Sequence, residues 1–379
     1  MIPLGLDQVQ IDTAIPLMAG VRIARFRDLD ARDLAGWARL SDQCGADSVF
    51  GSDWFVGAVL THFDPDGAHR ICIATDALGE CYGVAVLTPA ARLGRVPLAH
   101  WRGLANPNRF LGVPLVRRGR EAAFWRGMFA ALDWQGQGQA ALCLADMPAD
   151  HRVTRALLAQ AGAEGRMVEV LARHDRAALL PSADAALPLD AGLSSKRLAR
   201  LRSLDRKLER DHGAASCHRL GLDDDIDAWI DAFLTLEAAG WKGRAGSALA
   251  SAPASAALFR DVVRSAHARG AIACLALDVG GRTIAMSSFF LANGHGFGFK
   301  CCFDEGFASY APGILLLRRI MAMADRLGIT QFDSCSAATE ATINGLWPQR
   351  RELLDIAVAL HAPLAELRFD SAMRARQAW

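Results

Sequence analysis

The sequence holds only two tyrosines among 379 residues, Tyr82 and Tyr310, so chemistry that needs a phenol has two candidates. An excess of one charge is also missing, because 42 basic and 41 acidic side chains leave a formal net charge of +1. No global field draws in nucleic acid, and polyanion binding would need a local patch. Nine cysteines occur without a C-x-x-C pair, and the one close pair is the adjacent Cys301–Cys302. This excludes a thiolate metal framework and suits small buried hydrophobes in a reducing compartment. Ten histidines show neither H-E-x-x-H nor paired spacing, so no metal is expected. The best apolar run, Ile314–Leu317, stops at Arg318–Arg319, far short of the ~18 residues a membrane span requires. The opening Met1-Ile2-Pro3-Leu4-Gly5-Leu6-Asp7 has no basic segment ahead of an apolar core, so the chain reads as cytoplasmic without a secretory signal.

What is present describes a folded α/β chain. Hydrophobic residues make up 52% and charged residues 22%, enough apolar material for a core and too little charge for disorder. At this length two or three domains are expected. Two windows match at a fixed offset, Ile71–Val86 and Ala273–Ser288, with Cys72 on Cys274, Ala74 on Ala276, Asp76 on Asp278 and Gly79 on Gly281. Each reads as strand, Asp/Gly turn, strand, which is a β-hairpin, and tandem duplication of one α/β unit is the economical explanation. Any two hairpins share such features, so coincidence stands beside it.

Helices are expected at 53–60, 223–239, 256–269 and 314–327. The second carries Ile226, Trp229, Ile230, Phe233, Leu234 and Leu236 at helical spacing, and the third is closed by Gly270. Asn293-Gly294 predicts a tight turn into a strand over 296–303, and further strands are expected over 329–335 and 352–360. The stretch Ala177 to Leu193, rich in Ala, Pro, Asp and Ser, reads as a linker. It divides the chain into units 1–185 and 186–379.

The most informative segment is Lys300-Cys301-Cys302-Phe303-Asp304-Glu305-Gly306-Phe307-Ala308-Ser309-Tyr310-Ala311-Pro312-Gly313-Ile314-Leu315. A strand ends among charged groups and a helix opens on Pro-Gly. The first turn of a helix offers unpaired N–H groups and partial positive charge, suited to a diphosphate, and glycine lets a ligand approach the backbone. Proline at a helix start is also ordinary capping. A second cluster, Glu237…Trp241-Lys242-Gly243-Arg244, sets a carboxylate beside an aromatic and two cations. It suits a cleft, and equally a helix C-terminus whose cations complement the dipole.

These two stretches together, Glu237…Trp241-Lys242-Gly243-Arg244 and Lys300…Asp304-Glu305…Tyr310-x-Pro312-Gly313, resemble the CelD/BcsL-type acyltransferases. That family belongs to the GNAT superfamily and is related to the Fem-type tandem-GNAT aminoacyltransferases. The similarity spans most of residues 20–360 and is most specific in 230–350. Asp333-Ser334-Cys335, Leu346-Trp347-Pro348-x-Arg350-Arg351 and, earlier, Asn106-Pro107-Asn108…Gly112-Val113-Pro114-Leu115 also look like the family. The chain departs from it at Phe303, where Tyr is common, and at Ala311, where Ser often precedes Pro-Gly. An Arg/Gln-x-x-Gly-x-Gly/Ala phosphate loop is not legible.

The resemblance implies an α/β (α+β) fold of tandem GNAT-like units, each a mixed, mostly antiparallel sheet flanked by helices. Residues 1–185 would be a degenerate unit on the acceptor side and 186–379 the acyltransferase unit. It further implies acyl-CoA as co-substrate, or an acyl carrier protein donor, with the diphosphate at Ala311, Pro312, Gly313, Ile314 and Leu315. An acceptor amine would attack the thioester directly, with a backbone N–H stabilising the oxyanion. Glu237 or Asp304 is the expected base and Tyr310 the acid or a pantetheine contact, with ring packing as the rival role for Tyr310. Trp241, Lys242, Arg244, Lys300 and Glu305 are expected to contact substrate. A thiolate nucleophile at Cys301 or Cys302 is disfavoured, since only His295 is near in sequence.

The family points to envelope acceptors: an amino sugar of an exopolysaccharide, or a sphingoid base, which would give a ceramide. The segment 194–210 alternates Leu198, Leu201, Leu204 and Leu208 with Arg197, Arg200, Arg202, Arg206, Lys207 and Arg210. It reads as a helix with a solvated basic face, or as a peripheral contact with the inner membrane. The alternative function is a non-catalytic GNAT-fold protein that regulates polysaccharide export. Aminoacyl transfer from tRNA lacks a coiled-coil arm and a broad basic surface.

Overall fold

The computed structural model describes residues 20–44, 49–135, 138–180 and 193–377. The first half of the chain runs through β1 (Gly20–Ala24), α1 (Ala31–Cys44), α2 (Asp53–Phe63), β2 (Arg70–Thr75), β3 (Cys81–Leu93) and β4 (Val96–Gly103). It continues with β5 (Leu115–Val116), α3 (Glu121–Gln135), β6 (Ala141–Pro148), α4 (Arg152–Ala163) and β7 (Val168–Leu179). Of the expected linker, Ala177–Leu179 belong to β7, while residues 181–192, with the expected boundary at 185, lie outside the described residues.

The second half opens with α5 (Ser195–His212), β8 (Ala215–Arg219), α6 (Ile226–Ala239), α7 (Trp241–Arg244), α8 (Pro253–Ala268), β9 (Ile272–Val279) and β10 (Arg282–Ala292). It closes with β11 (His295–Phe303), α9 (Pro312–Ala322), β12 (Gln331–Asp333), α10 (Ala341–Asn344), β13 (Gln349–Ala359) and α11 (Ala365–Gln377).

Turn chemistry builds both hairpins. In the first, Asp76 Oδ1 accepts the N–H groups of Leu78 and Glu80, each at 3.0 Å, and Gly79 takes φ +75°. In the second, Thr283 Oγ1 donates to Asp278 Oδ1 at 2.7 Å, and Gly280 and Gly281 both have positive φ. Asn293 and Gly294, with φ of 43° and 81°, form the two-residue turn between β10 and β11. The α9 helix ends at Ala322, earlier than the spacing predicts, and a 3-10 turn over Asp325–Leu327 follows it.

All strands among the described residues join one mixed sheet in the order β1-β2-β3-β4-β6-β13-β7-β12-β11-β10-β9-β8, with β5 beside β3. Each half contributes four antiparallel strands and a fifth that is parallel to the fourth: β4 with β6, and β11 with β12. The expected mixed, mostly antiparallel architecture is therefore present twice. The halves are not laid side by side, however. β13, from the end of the chain, lies between β6 and β7, while β7, from the first half, lies between β13 and β12. β7 and β13 pair from Ala178↔Gln349 to Val168↔Val358, so each half completes the other's sheet.

A buried ion cluster locks this exchange. Asp333, 4% exposed at the end of β12, meets Arg176 of β7 through Oδ1 (2.6 Å) and Oδ2 (2.8 Å), and Arg351 of β13 through Oδ2 (3.0 Å). Arg176 also donates to the Phe110 carbonyl of the first half at 2.8 Å. On one sheet face, Phe50, Trp54 and Phe55 from the first half meet Phe290, Phe297 and Phe299 from the second, with centroids 5.6–6.4 Å apart. On the other face, Leu201 and Leu208 of α5 are buried in a cluster shared with β9, β10 and α9, so the leucine stripe of 194–210 belongs to the core. Ser194 caps that helix by accepting the Arg197 N–H at 3.2 Å.

Candidate active site

β11 pairs with β10 along most of its length, out to Phe303, but with β12 only over His295–Phe297 against Gln331–Asp333. The ladder ends there, with Ser334 still against Gly298, where an added Cβ would lie 2.3 Å from the Ser334 carbonyl oxygen, and Cys335 then turns the chain aside at φ 52°. The β10–β11 register shifts at Ser288/Phe289, where Phe299 is the extra residue of a bulge. The Asp304 N–H donates to the Ile284 carbonyl at 2.8 Å, which fixes the alternation that follows. Hydrogen-bonded pairs fall at 286/302 and 288/300, so the N–H and C=O of Cys301 point away from β10, to the edge that β12 has left. The Cys301 carbonyl there accepts Lys242 Nζ at 2.9 Å. The Cys301 N–H faces the same opening.

Lys242 is held in place by Glu237. The apolar stripe of α6 carries Glu237 inward to 3% exposure, where Oε1 accepts Lys242 Nζ (2.8 Å) and Oε2 the Leu249 N–H (2.8 Å). The chain turns back so sharply at α7 that a Cβ on Gly243 would sit 1.8 Å from the Ala238 carbonyl oxygen; only glycine fits. Glu305 then joins α7 to the end of β11, accepting the Trp241 N–H (2.9 Å) and Arg244 (2.7 Å). Trp241 is 52% exposed. Glu237, Trp241, Lys242, Arg244 and Glu305 thus form one cluster at the rim of the opening. Lys300 lies against it, with Nζ 5.3 Å from the ring centroid of Phe110 and 5.6 Å from that of Phe299.

Asp304 and Tyr310 are engaged elsewhere. Asp304 caps the 3-10 turn Glu305–Tyr310 by accepting the Gly306 N–H at 2.8 Å, and it pairs with Arg282. Tyr310 turns toward α5, donating to Asp211 Oδ2 at 3.0 Å and lying 3.1 Å from His212 Nε2, with Lys207 Nζ over its ring. Desolvation and the Asp211 carboxylate push its phenol above the ordinary value. The three groups expected to carry catalysis have no partner in common.

The start of α9 is open to a ligand. Ala311 adopts the left-handed conformation (φ 55°, ψ 52°) and supplies no side-chain cap. Pro312 has no N–H, and the N–H groups of Ile314 and Leu315 both return to the Ala311 carbonyl. Gly313 keeps the uncommitted donor, and a Cβ added there would meet only Phe303, at 3.7 Å. Cys302 is buried, and burial raises its thiol far from reactivity. His295, bonded to Gln331, stands six residues from Cys301, roughly 20 Å along the strand.

The corresponding opening in the first half is filled by the chain itself. The Gly112 N–H donates to the Asp146 carbonyl at 3.1 Å, and a Cβ on Gly112 would lie 1.8 Å from the Ala145 oxygen. Leu111, Val113 and Leu115 are buried around it. Arg109 ties the segment to the carbonyls of Phe50 (3.1 Å) and Leu104 (2.9 Å), and burial pulls its guanidinium down to about 10. A void of only ≈ 10 Å³ is left.

Two features had no sequence signal. Asp146, His174 and Asp355, drawn from β6, β7 and β13, bring three ligand-type atoms within 4.8 Å, the one such group among the described residues. They are half-buried and bonded to one another, His174 Nε2 to Asp146 Oδ1 at 3.1 Å and the Asp146 N–H to Asp355 Oδ1 at 3.0 Å. An open depression of ≈ 320 Å³, lined by Arg219, Asn293, Gly294 and Arg326, lies at the opposite end of β11 from Cys301. Among the described residues no helix is long and apolar enough to cross a membrane.

Residues 195–340 match the family model described as acetyltransferase (GNAT) domain. No curated protein matches the chain. Solved structures share its fold. A conserved protein from Bacteroides thetaiotaomicron VPI-5482 is 12% identical over 90% of this chain and 100% of its own, with a TM-score of 0.54. FemX is 11% identical over 86% and 95%, with a TM-score of 0.54. L-PGS from Bacillus licheniformis is 13% identical over 90% and 95%, with a TM-score of 0.50. The end of the β11–β12 ladder, the bulge and the helix start all fall inside the segment that is similar to the GNAT acetyltransferase domain, and the chain as a whole shares its fold with FemX.

Proposed function

We propose that the protein is an N-acyltransferase that moves an acyl group from acyl-CoA, or an acyl carrier protein, to the amine of a cell-envelope acceptor. Residues 186–379 act as the transferase unit of CelD/BcsL type and 1–185 form the acceptor side. One observation carries this reading: the β11–β12 opening exposes the Cys301 N–H just upstream of a helix start whose Gly313 N–H is uncommitted. The diphosphate is held along Ala311–Leu315 by the first turn of α9. The thioester oxygen receives the Cys301 N–H, which strengthens as negative charge develops on it. Lys242, fixed by Glu237, closes the neighbouring carbonyl, while Trp241, Arg244, Lys300 and Glu305 line the acceptor's approach. Arg200, Arg202, Arg206 and Arg210 are exposed on α5 and suit an acceptor at an anionic surface, such as a sphingoid base at the inner membrane. An amino sugar of an exopolysaccharide needs only the polar rim.

A second reading, a non-catalytic GNAT-fold regulator of polysaccharide export, draws on the separate partners of Glu237, Asp304 and Tyr310. An acyl-transfer assay separates the two. Purified protein is given short-chain and long-chain acyl-CoA with glucosamine-type and sphingoid amines, and products are read by mass spectrometry. Amide product with one amine class is expected. Absence of product from every pair, together with no heat of CoA binding, would establish the regulator instead.

A further inference from the structure

We infer that the side-chain amine of Lys300 takes the proton from the acceptor's ammonium group at the β11 opening. This rests on the acyl-transfer reading and identifies the base within it. The two carboxylates expected from the sequence to do so already hold a donor on each oxygen. Glu237 accepts from Lys242 and the Leu249 N–H, and Asp304 from the Gly306 N–H and Arg282. Among the described residues no carboxylate pairs with Lys300. Its ammonium is instead set against two rings, one from the bulge (Phe299) and one from the first half of the chain (Phe110). It is the residue immediately before Cys301, whose N–H faces the opening, and it lies on the side covered by the first half.

Desolvation and the neighbouring Lys242 favour the neutral amine, against the two ring faces, which favour the ammonium. Burial pulls Lys300 down to about 8, Lys242 of α7 pushes the same way, and Glu237 of α6 and the Cys301 thiol on its own strand only partly offset them. The Phe110 segment contributes an uncharged ring. Near neutral pH a useful fraction of Lys300 can therefore accept a proton, as a base matched to the working pH should.

The step balances. Neutral Lys300 Nζ removes one proton from the acceptor ammonium and becomes the ammonium itself. The freed amine pair then forms the C–N bond, the C–S bond breaks, and the thiolate leaves with its electron pair. The second nitrogen proton neutralises the thiolate, and Lys300 returns its proton to water.

The test compares wild type, Lys300→Arg and Lys300→Met. The expected result is a fall in kcat of at least ~100-fold in both variants, with CoA affinity by calorimetry within about threefold of wild type. Wild-type kcat should rise with pH through a midpoint near 8, because the base must be unprotonated, and this limb should vanish in the variants. Independently of turnover, the ¹⁵Nζ resonance missing from the Lys300→Arg spectrum should titrate near 8 in the wild type. Titration near 10.5, or near-normal turnover by Lys300→Arg, would overturn the assignment and leave acyl transfer standing. Failure of the wild type with every amine would overturn the reading it rests on.

Discussion

Gly313→Asp should lower the affinity for acyl-CoA at least ~100-fold while leaving the protein as stable as before, or more so. The two effects have opposite sign because they depend on different partners. At the second position of α9 an aspartate lies in the positive end of the helix dipole, a placement worth about 0.3–1 kcal/mol, and it replaces a residue of poor helix propensity. A Cβ at 313 has free space, so no steric cost offsets this gain. A diphosphate docking on the same N–H would instead meet a like charge. At about 4 Å, with an effective dielectric near 20, the repulsion is about 4 kcal/mol, enough to remove most of the binding. Titration calorimetry and thermal denaturation of the same preparation read both numbers. Unchanged affinity would mean that the diphosphate lies elsewhere, and a fall in stability would mean that Gly313 is needed by the fold itself.

Asp333→Asn should cost about 3–5 kcal/mol, because it leaves Arg176 and Arg351 buried without their counter-charge at the point where the halves exchange strands. Burial alone would raise the Asp333 carboxyl. The guanidinium groups of Arg176 and Arg351 and the Cys335 N–H outweigh burial and hold it below the usual carboxylate range. With a folded value lower than the unfolded one, its stabilisation is complete above about pH 4 and drains away as pH falls through the lowered value. Wild type should therefore lose stability in acid, and the variant, already deprived of the charge, should lose less over the same interval. Urea denaturation at pH 7 and pH 3 measures both. A cost under ~1 kcal/mol with an unchanged acid limb would show that the cluster does not hold the exchange together.

Local chemistry made much of the fold legible. The Asp/Gly hairpin turns, Asn293-Gly294, the Gly270 cap at φ +63° and Pro312 at the head of α9 each specify a conformation within a few residues. The strand exchange was not legible, because β7 and β13 are some 180 residues apart in sequence and either could have paired within its own half. The bulge at Phe299 was equally silent, since one extra residue in β11 shows only against the register of β10.

Glu237 was legible further than its selection as a base suggests. It follows Ile230, Phe233 and Leu234 at spacings of three and four, so the stripe that buries α6 carries this carboxylate inward, and the nearby Lys242 is a ready partner. Tyr310 depends on where α5 passes the 3-10 turn ahead of α9, which no local pattern records. Lys300 stood out in sequence as a charged strand residue and an expected substrate contact, not as a base. Its isolation from carboxylates arises from Phe110, about 190 residues away.

A crystal structure of the protein with a non-hydrolysable acyl-CoA analogue tests the account most directly. The diphosphate should lie on the Gly313 N–H, and the acyl carbonyl within hydrogen-bond reach of the Cys301 N–H, beyond the end of the β11–β12 ladder. An analogue bound in the depression between Arg219 and Arg326, with the β11 opening left empty, would contradict it.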